Sequence, residues 1–361
     1  IALLQVSSNV AQGALQGLIP DIVPDNQRGR ASGVKAVMEL LPAFLVIGMG
    51  PLVDAGRTWW VIAIIIGVFL VTMLITVLCV NEEPLKKKPA GGLREPVLRI
   101  LALATIFVAV TRGSVAVVRM AGSQLSQRGA DLAVQLAVVG LAGLASMAGS
   151  IFVGVYFGAW VGIGKDARKH TGFIWWVLNR LLFLAAVGSI QGFAQYFLSD
   201  VLHIANAATM TTLLLAAVAV FLIASALAGG YLADRVGHRR LVALSGLIAA
   251  AGTFLLLIAP SVPIVLASGC IIGTATGTFM ATNWALGTRL APPEKAGLYL
   301  GISNLAGAGA GIVGAGIGGP MADFFNALSP GMGYLVIFAA YGVLFLLSVL
   351  ALARVKDAST P

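Results

Sequence analysis

The sequence predicts an all-α, polytopic transmembrane helix bundle, and three observations carry that prediction. First, 59% of the 361 residues are hydrophobic and 10% are charged, whereas soluble domains average roughly 45–50% and about 25%. The mean hydropathy is +0.96. Second, the apolar residues gather into runs close to the roughly 20 residues a helix needs to cross the hydrocarbon core. Third, these runs are too long for strands and lack the alternation of a membrane barrel. Backbone groups cannot be left unpaired in lipid, so helices are the solution.

Taken in order, the first span covers 2–22 and carries amides along one side. The second, 31–54, follows Arg28 and Arg30 and closes on Gly50-Pro51 and Asp54. The third, 58–80, contains no charge. A basic stretch with Lys86, Lys87 and Lys88 makes 81–96 a linker. Spans at 97–119 and 132–160 follow, the former interrupted by Arg112. An arginine at mid-bilayer costs at least about 2.5–3.5 kcal/mol, so this helix either faces protein or sits at a different depth. An interfacial hairpin over 97–163 is the alternative. The last six spans lie at 171–198, 206–230, 241–259, 263–288, 297–320 and 334–353.

Loops on alternating sides differ in charge. One side holds Arg28, Arg30, Lys35, Lys86–Lys88, Arg94, Arg99, Lys165, Arg168, Lys169, Arg235, Arg239, Arg240, Arg289, Lys295, Arg354 and Lys356; the other holds Arg57, Arg119 and Arg128. The positive-inside rule makes the first side cytoplasmic. The same clustering accounts for the net charge of +9, and no basic face on a soluble domain points to nucleic acid. Cys79 and Cys270 lie in apolar runs, as free thiols would. Three histidines without a Cys/His cluster give no metal-site spacing. No cofactor is expected. The chain begins inside an apolar run without a Met, so the natural N-terminus is expected further upstream.

Two stretches repeat. Pro24, Gly29 and Gly33 match Pro292, Gly297 and Gly301, and Gly50-Pro51-x-x-Asp54 matches Gly319-Pro320-x-x-Asp323. Both copies enter a span from the cytoplasmic side and leave it at the outer face. Such a parallel repeat, about an axis along the membrane normal, is common in secondary transporters.

Between two spans stands Gly230-Tyr-Leu-Ala-Asp234-Arg235-Val-Gly237-His-Arg239-Arg240. This stretch resembles the G-x-L-x-D-R-x-G-R-[RK] loop signature of the major facilitator superfamily, departing from it at His238. The resemblance implies two pseudo-symmetric six-helix halves, with this turn joining the eighth and ninth helices. It numbers 2–22 as the fourth helix and leaves the first three absent. Residues 1–80 then complete the N-terminal half as helices four to six. Residues 97–163 form an inserted pair, and 171–353 form helices seven to twelve. Family likeness covers 1–80 and 171–353. In the family the turn locks the cytoplasmic side. Asp234 is expected at the N-terminus of the helix beginning near Gly297, where the dipole favours an anion. Gly237 allows the tight turn. Arg239 and Arg240 are suited to carboxylates or lipid phosphates.

The resemblance also places helices four, seven and ten along a central cavity. Gln5, Asn9, Gln12 and Gln16 follow i, i+4, i+7, i+11 spacing and share one helical face. Gln191 and Gln195 lie one turn apart, with Arg180 on about the same face. Thr274, Thr278 and Thr282 form a stripe continued by Asn283 and Trp284. Amides, hydroxyls and an aromatic platform suit a neutral polyol or sugar; interhelical hydrogen bonding is the alternative use of the same residues. Glu39, one turn after Lys35, is the candidate for coupling to H+ or Na+, with a local ion pair as its other reading. Asp54 and Asp323 are expected as caps or gate contacts.

Gly307 with Gly311, and Gly314 with Gly318, are small-x-x-x-small pairs for close packing. No G-x-x-x-x-G-K-[ST] occurs, which argues against ATP drive. The expectation is a monomeric, multi-pass secondary transporter of the cell (inner) membrane, moving a small solute. A drug or metabolite efflux antiporter and a non-transporting assembly or receptor protein are the alternatives. No nucleophile–base pair or metal cluster suggests an enzyme.

Overall fold

The computed structural model describes residues 49–79, 94–164, 169–258, 261–292 and 296–355. They form ten helices, and no strand occurs among the described residues. In chain order these are α1 (Gly50–Asp54), α2 (Thr58–Cys79), α3 (Arg94–Gln127), α4 (Leu132–Ile163) and α5 (Thr171–Asp200). There follow α6 (Ala207–Val236), α7 (His238–Leu255), α8 (Val262–Leu290), α9 (Ala296–Leu328) and α10 (Met332–Leu352). Seven are long and apolar enough to cross a membrane: α2, α4, α5, α8 and α10 entire, Ala104–Gln127 of α3, and Ala207–Ala233 of α6. The protein is an integral, multi-pass membrane protein with the all-α fold that its composition predicts.

Helix ends fall where capping and loop geometry put them, some beyond the apolar windows and one, that of α7 at Leu255, short of the expected 259. α3 starts at Arg94 and runs to Gln127, three residues before and eight beyond the expected 97–119. Arg112 lies on its exposed face, next to the buried Thr111. α7 begins at His238, immediately after a turn at Gly237 with φ of +95°. That left-handed conformation suits glycine.

α5 to α10 wrap one core. Phe183 of α5 stacks flat on Phe279 of α8, with centroids 3.7 Å apart, and meets Phe345 of α10 edge-on at 4.9 Å. Without a hydrophobic drive between helices in lipid, close backbone approach supplies the association energy. α8 supplies it through Gly269, Gly273 and Gly277, one turn apart. A Cβ at Gly273 would lie 2.7 Å from Val218 of α6, and one at Gly277 would strike the Leu222 carbonyl.

α9 is packed on two faces. Gly314 and Gly318 admit α5 and Tyr341 of α10, and the Tyr341 hydroxyl donates to the Gly314 carbonyl at 3.0 Å. On the other face, Phe107 of α3 fills a slot between Gly309 of α9 and Gly154 of α4. Met321 of α9 seats on Gly143, and Phe324 on Gly122. Ser114 of α3 hydrogen-bonds Ser150 of α4 at 2.8 Å. The α3–α4 pair is thus bound to the α5–α10 unit chiefly through α9, with α4 also against α5 and α10. Of the glycine pairs expected on this helix, Gly314 and Gly318 are used. A Cβ at Gly307 would meet Leu184 no nearer than 3.8 Å, and one at Gly311 would have open space around it.

α2 buries no residue and touches α1 among the described elements.

Candidate functional site

The connections alternate the helix directions, so α6, α8 and α10 end where α5, α7 and α9 begin. This end carries the Gly230–Arg240 turn and is called the turn end; the other is the far end. Arg180 lies nine residues inside α5 and Asn283 seven residues before the end of α8. At about 1.5 Å per residue, both sit on the order of 10–14 Å in from the turn end. The structure brings them together: Arg180 Nη1 donates to Asn283 Oδ1 at 3.2 Å.

The guanidinium is also set against two indoles. Its Cζ lies 5.1 Å from the Trp284 centroid and 5.9 Å from that of Trp176. A desolvated cation–π contact contributes up to about 2 kcal/mol. One such contact and a hydrogen bond are of the same order as the roughly 2.5–3.5 kcal/mol that an arginine costs within a span. Trp176 is placed by Gly287 of α8, where a Cβ would collide with the indole. Its Nε1–H donates to the Asn283 carbonyl at 3.0 Å.

Behind Asn283 lies Asn179, which sequence reasoning missed. Asn283 Nδ2 donates to Asn179 Oδ1 at 3.0 Å, and Asn179 Nδ2 donates to the Ser348 carbonyl of α10 at 2.9 Å. Both amides are fully buried. The available signal was the presence of two unlike polar residues, Asn179 and Arg180, side by side in an apolar helix.

The other expected positions divide. Thr274, Thr278 and Thr282 each turn the hydroxyl back to the carbonyl four residues earlier in α8. Thr282 is fully buried, and Thr278 packs on Gly229 of α6. Gln191 and Gln195 are exposed, about one turn apart towards the far end of α5. Gln191 borders a largely apolar cavity of about 80 Å³ between α5, α6 and α8, with Thr211 and Thr276 among its few polar walls. Gln5, Asn9, Gln12, Gln16 and Glu39 lie outside the described residues, as does the Asp234 side chain.

At the turn end, Arg239 Nη2 donates to the carbonyl of Ala353, the residue that closes α10, at 3.2 Å. A cation there complements the dipole. Arg235 lies over the Tyr231 ring, Cζ to centroid 4.7 Å, and hydrogen-bonds its hydroxyl. Gly230 and Arg240 are exposed.

At the far end, Asp54 of α1 caps α6. Its carboxylate accepts from the backbone N–H groups of Ala208 at 3.3 Å and Thr209 at 2.9 Å, and from the Thr209 hydroxyl. These are the donors a helix N-terminus leaves unpaired. Gly50 permits the approach, since a Cβ there would lie 2.8 Å from Thr209 Cα. Asp323, its counterpart in the repeat, is exposed. Nearby, the Tyr334 hydroxyl donates to Asp200. No group of three or more potential metal ligands occurs among the described residues.

Comparison with known proteins adds two findings. The family model of the Major Facilitator Superfamily matches residues 176–361. A stretch of 99 residues is 31% identical to the minor myo-inositol transporter IolF of Bacillus subtilis (strain 168), covering 27% of this chain and 23% of that protein. The matched stretch therefore spans less than a quarter of that relative's length.

Proposed function

This chain belongs to the Major Facilitator Superfamily, and on that premise we propose that it is a secondary transporter moving a small polar solute by alternating access. The observation that carries this reading is the Arg180–Asn283–Trp284 cluster. It puts a guanidinium, an amide oxygen and an indole face together inside the bundle. An indole face suits the C–H side of a ring, and the guanidinium offers hydrogen bonds to its hydroxyls. A sugar or cyclic polyol meets both demands. The similarity to a myo-inositol transporter supports the same solute class.

In this reading the turn end is cytoplasmic. Gly230, Asp234, Arg235, Gly237, Arg239 and Arg240 act there as the cytoplasmic gate. Gln191 and Gln195 belong to the outer part of the path, and Thr278 and Thr282 to the part nearer the Arg180–Asn283 cluster. Gln5, Asn9, Gln12 and Gln16 supply the opposite wall. The Asp54 cap on α6 closes the outer side and breaks when that side opens. Transport is coupled to H+ or Na+ through Glu39, and the protein works as a monomer in the cell membrane.

The test is radiolabelled myo-inositol uptake by the intact natural protein in proteoliposomes, with and without an imposed proton or sodium gradient. Gradient-driven accumulation above empty liposomes is expected. Glu39→Gln is expected to abolish accumulation and to spare counterflow. Unchanged accumulation in that variant would contradict the coupling role.

A further inference from the structure

We propose that Asn179, fully buried behind Asn283, is a positioning residue that holds the Arg180 guanidinium in place for solute. The proposal rests on the reading that solute meets Arg180.

The hydrogen bonds around Asn283 form a relay whose direction is set at both ends. Arginine only donates, and a backbone carbonyl only accepts. Between the Arg180 guanidinium and the Ser348 carbonyl stand two amides, and each both donates and accepts. Arg180 gives to Asn283, Asn283 to Asn179, and Asn179 to Ser348, over 3.2, 3.0 and 2.9 Å. Reversing either amide would set NH2 against NH2 or oxygen against oxygen. The backbone of α10 therefore orients Asn179, Asn179 orients Asn283, and Asn283 turns its oxygen to the guanidinium. Both amides are fully buried, so no bulk water competes for these bonds. Arg180 itself is half-buried over Trp284. Asn179 thus acts on the guanidinium through Asn283.

The experiment uses Asn179→Leu in the intact protein. Its first readout is the rate at which phenylglyoxal modifies Arg180, followed by peptide mass spectrometry with the exposed Arg235 as internal control. Its second is the concentration dependence of myo-inositol counterflow. A released guanidinium is expected to react about threefold faster, and KM is expected to rise about tenfold while maximal counterflow per folded protein stays within about twofold. Asn179→Ser, whose hydroxyl can bond its own helix and which leaves Asn283 in place, serves if the leucine variant misfolds, and its Arg180 is expected to react faster as well. Unchanged Arg180 reactivity in either variant overturns the proposal. So does a loss confined to maximal rate at unchanged KM. If the unmodified protein carries no myo-inositol, the solute reading fails, and the phenylglyoxal rates alone decide the role of Asn179.

Discussion

Helix α8 carries two kinds of polar residue, and they behave differently. Thr274, Thr278 and Thr282 bond carbonyls of their own helix. Asn283, one position after Thr282, bonds two residues of α5, and its backbone carbonyl accepts from the α5 indole. A short hydroxyl can satisfy itself within one turn and asks nothing of its neighbours. An amide has a donor pair and an acceptor pointing apart, so it draws partners from other helices. Polar character along a span is therefore no measure of what a residue links. Its reach decides. Thr111 likewise bonds its own helix, while Asp54 crosses from α1 to α6; hydroxyls cross only where two helices come close, as Ser114 and Ser150 do.

Three substitutions break or sharpen this contrast. Asn283→Ala should have the largest effect. It strands the Asn179 oxygen and a guanidinium N–H, each an orphaned group costing about 1–3 kcal/mol when buried. Thermal unfolding in detergent should fall clearly, and counterflow should be lost. Asp54→Ala should be smaller. It removes a cap at the far end without touching the core, so stability should fall by no more than the loss of one helix cap costs. The labelling rate of a cysteine placed at Thr212 by an impermeant outer reagent should rise several-fold as the outer side opens more often. Thr278→Val should be smallest, within about 0.5 kcal/mol, because the lost hydroxyl served its own helix. A large loss of transport in Thr278→Val would show that the threonine turns outward to solute during the cycle.

How much of this was legible follows from the same physics. Span positions follow from the length of apolar runs, which the bilayer sets, so nine of the eleven expected spans have a described helix of comparable extent. The ends of α3 were not legible, because helix and hydrocarbon boundaries are different things. Arg180, Asn283 and Trp284 stand out as polar or aromatic residues in apolar surroundings, and the fold brings them together. Asn179 did not stand out, because its position is one residue, about 100°, from Arg180, and its partners, Asn283 of α8 and the Ser348 carbonyl of α10, are set only by the packing of three helices. The Gly269–Gly273–Gly277 groove was written in the sequence at four-residue spacing, yet its partner is named only by the packed α6. On α9 the spacing singled out Gly307 with Gly311 and Gly314 with Gly318, and the second pair packs closely on α5 and α10. The contacts with α3 fall instead on Gly309 and Gly316, because the angle at which α3 meets α9 is a property of the pair.

The central claim is that the Arg180–Asn283–Trp284 cluster meets the solute on its way through the bundle. The most direct measurement is myo-inositol counterflow in proteoliposomes holding equal amounts of folded unmodified protein or the Asn283→Ala variant. Saturable counterflow is expected from the unmodified protein, and none above empty liposomes from the variant. Equal counterflow from both, at the same KM, would contradict it.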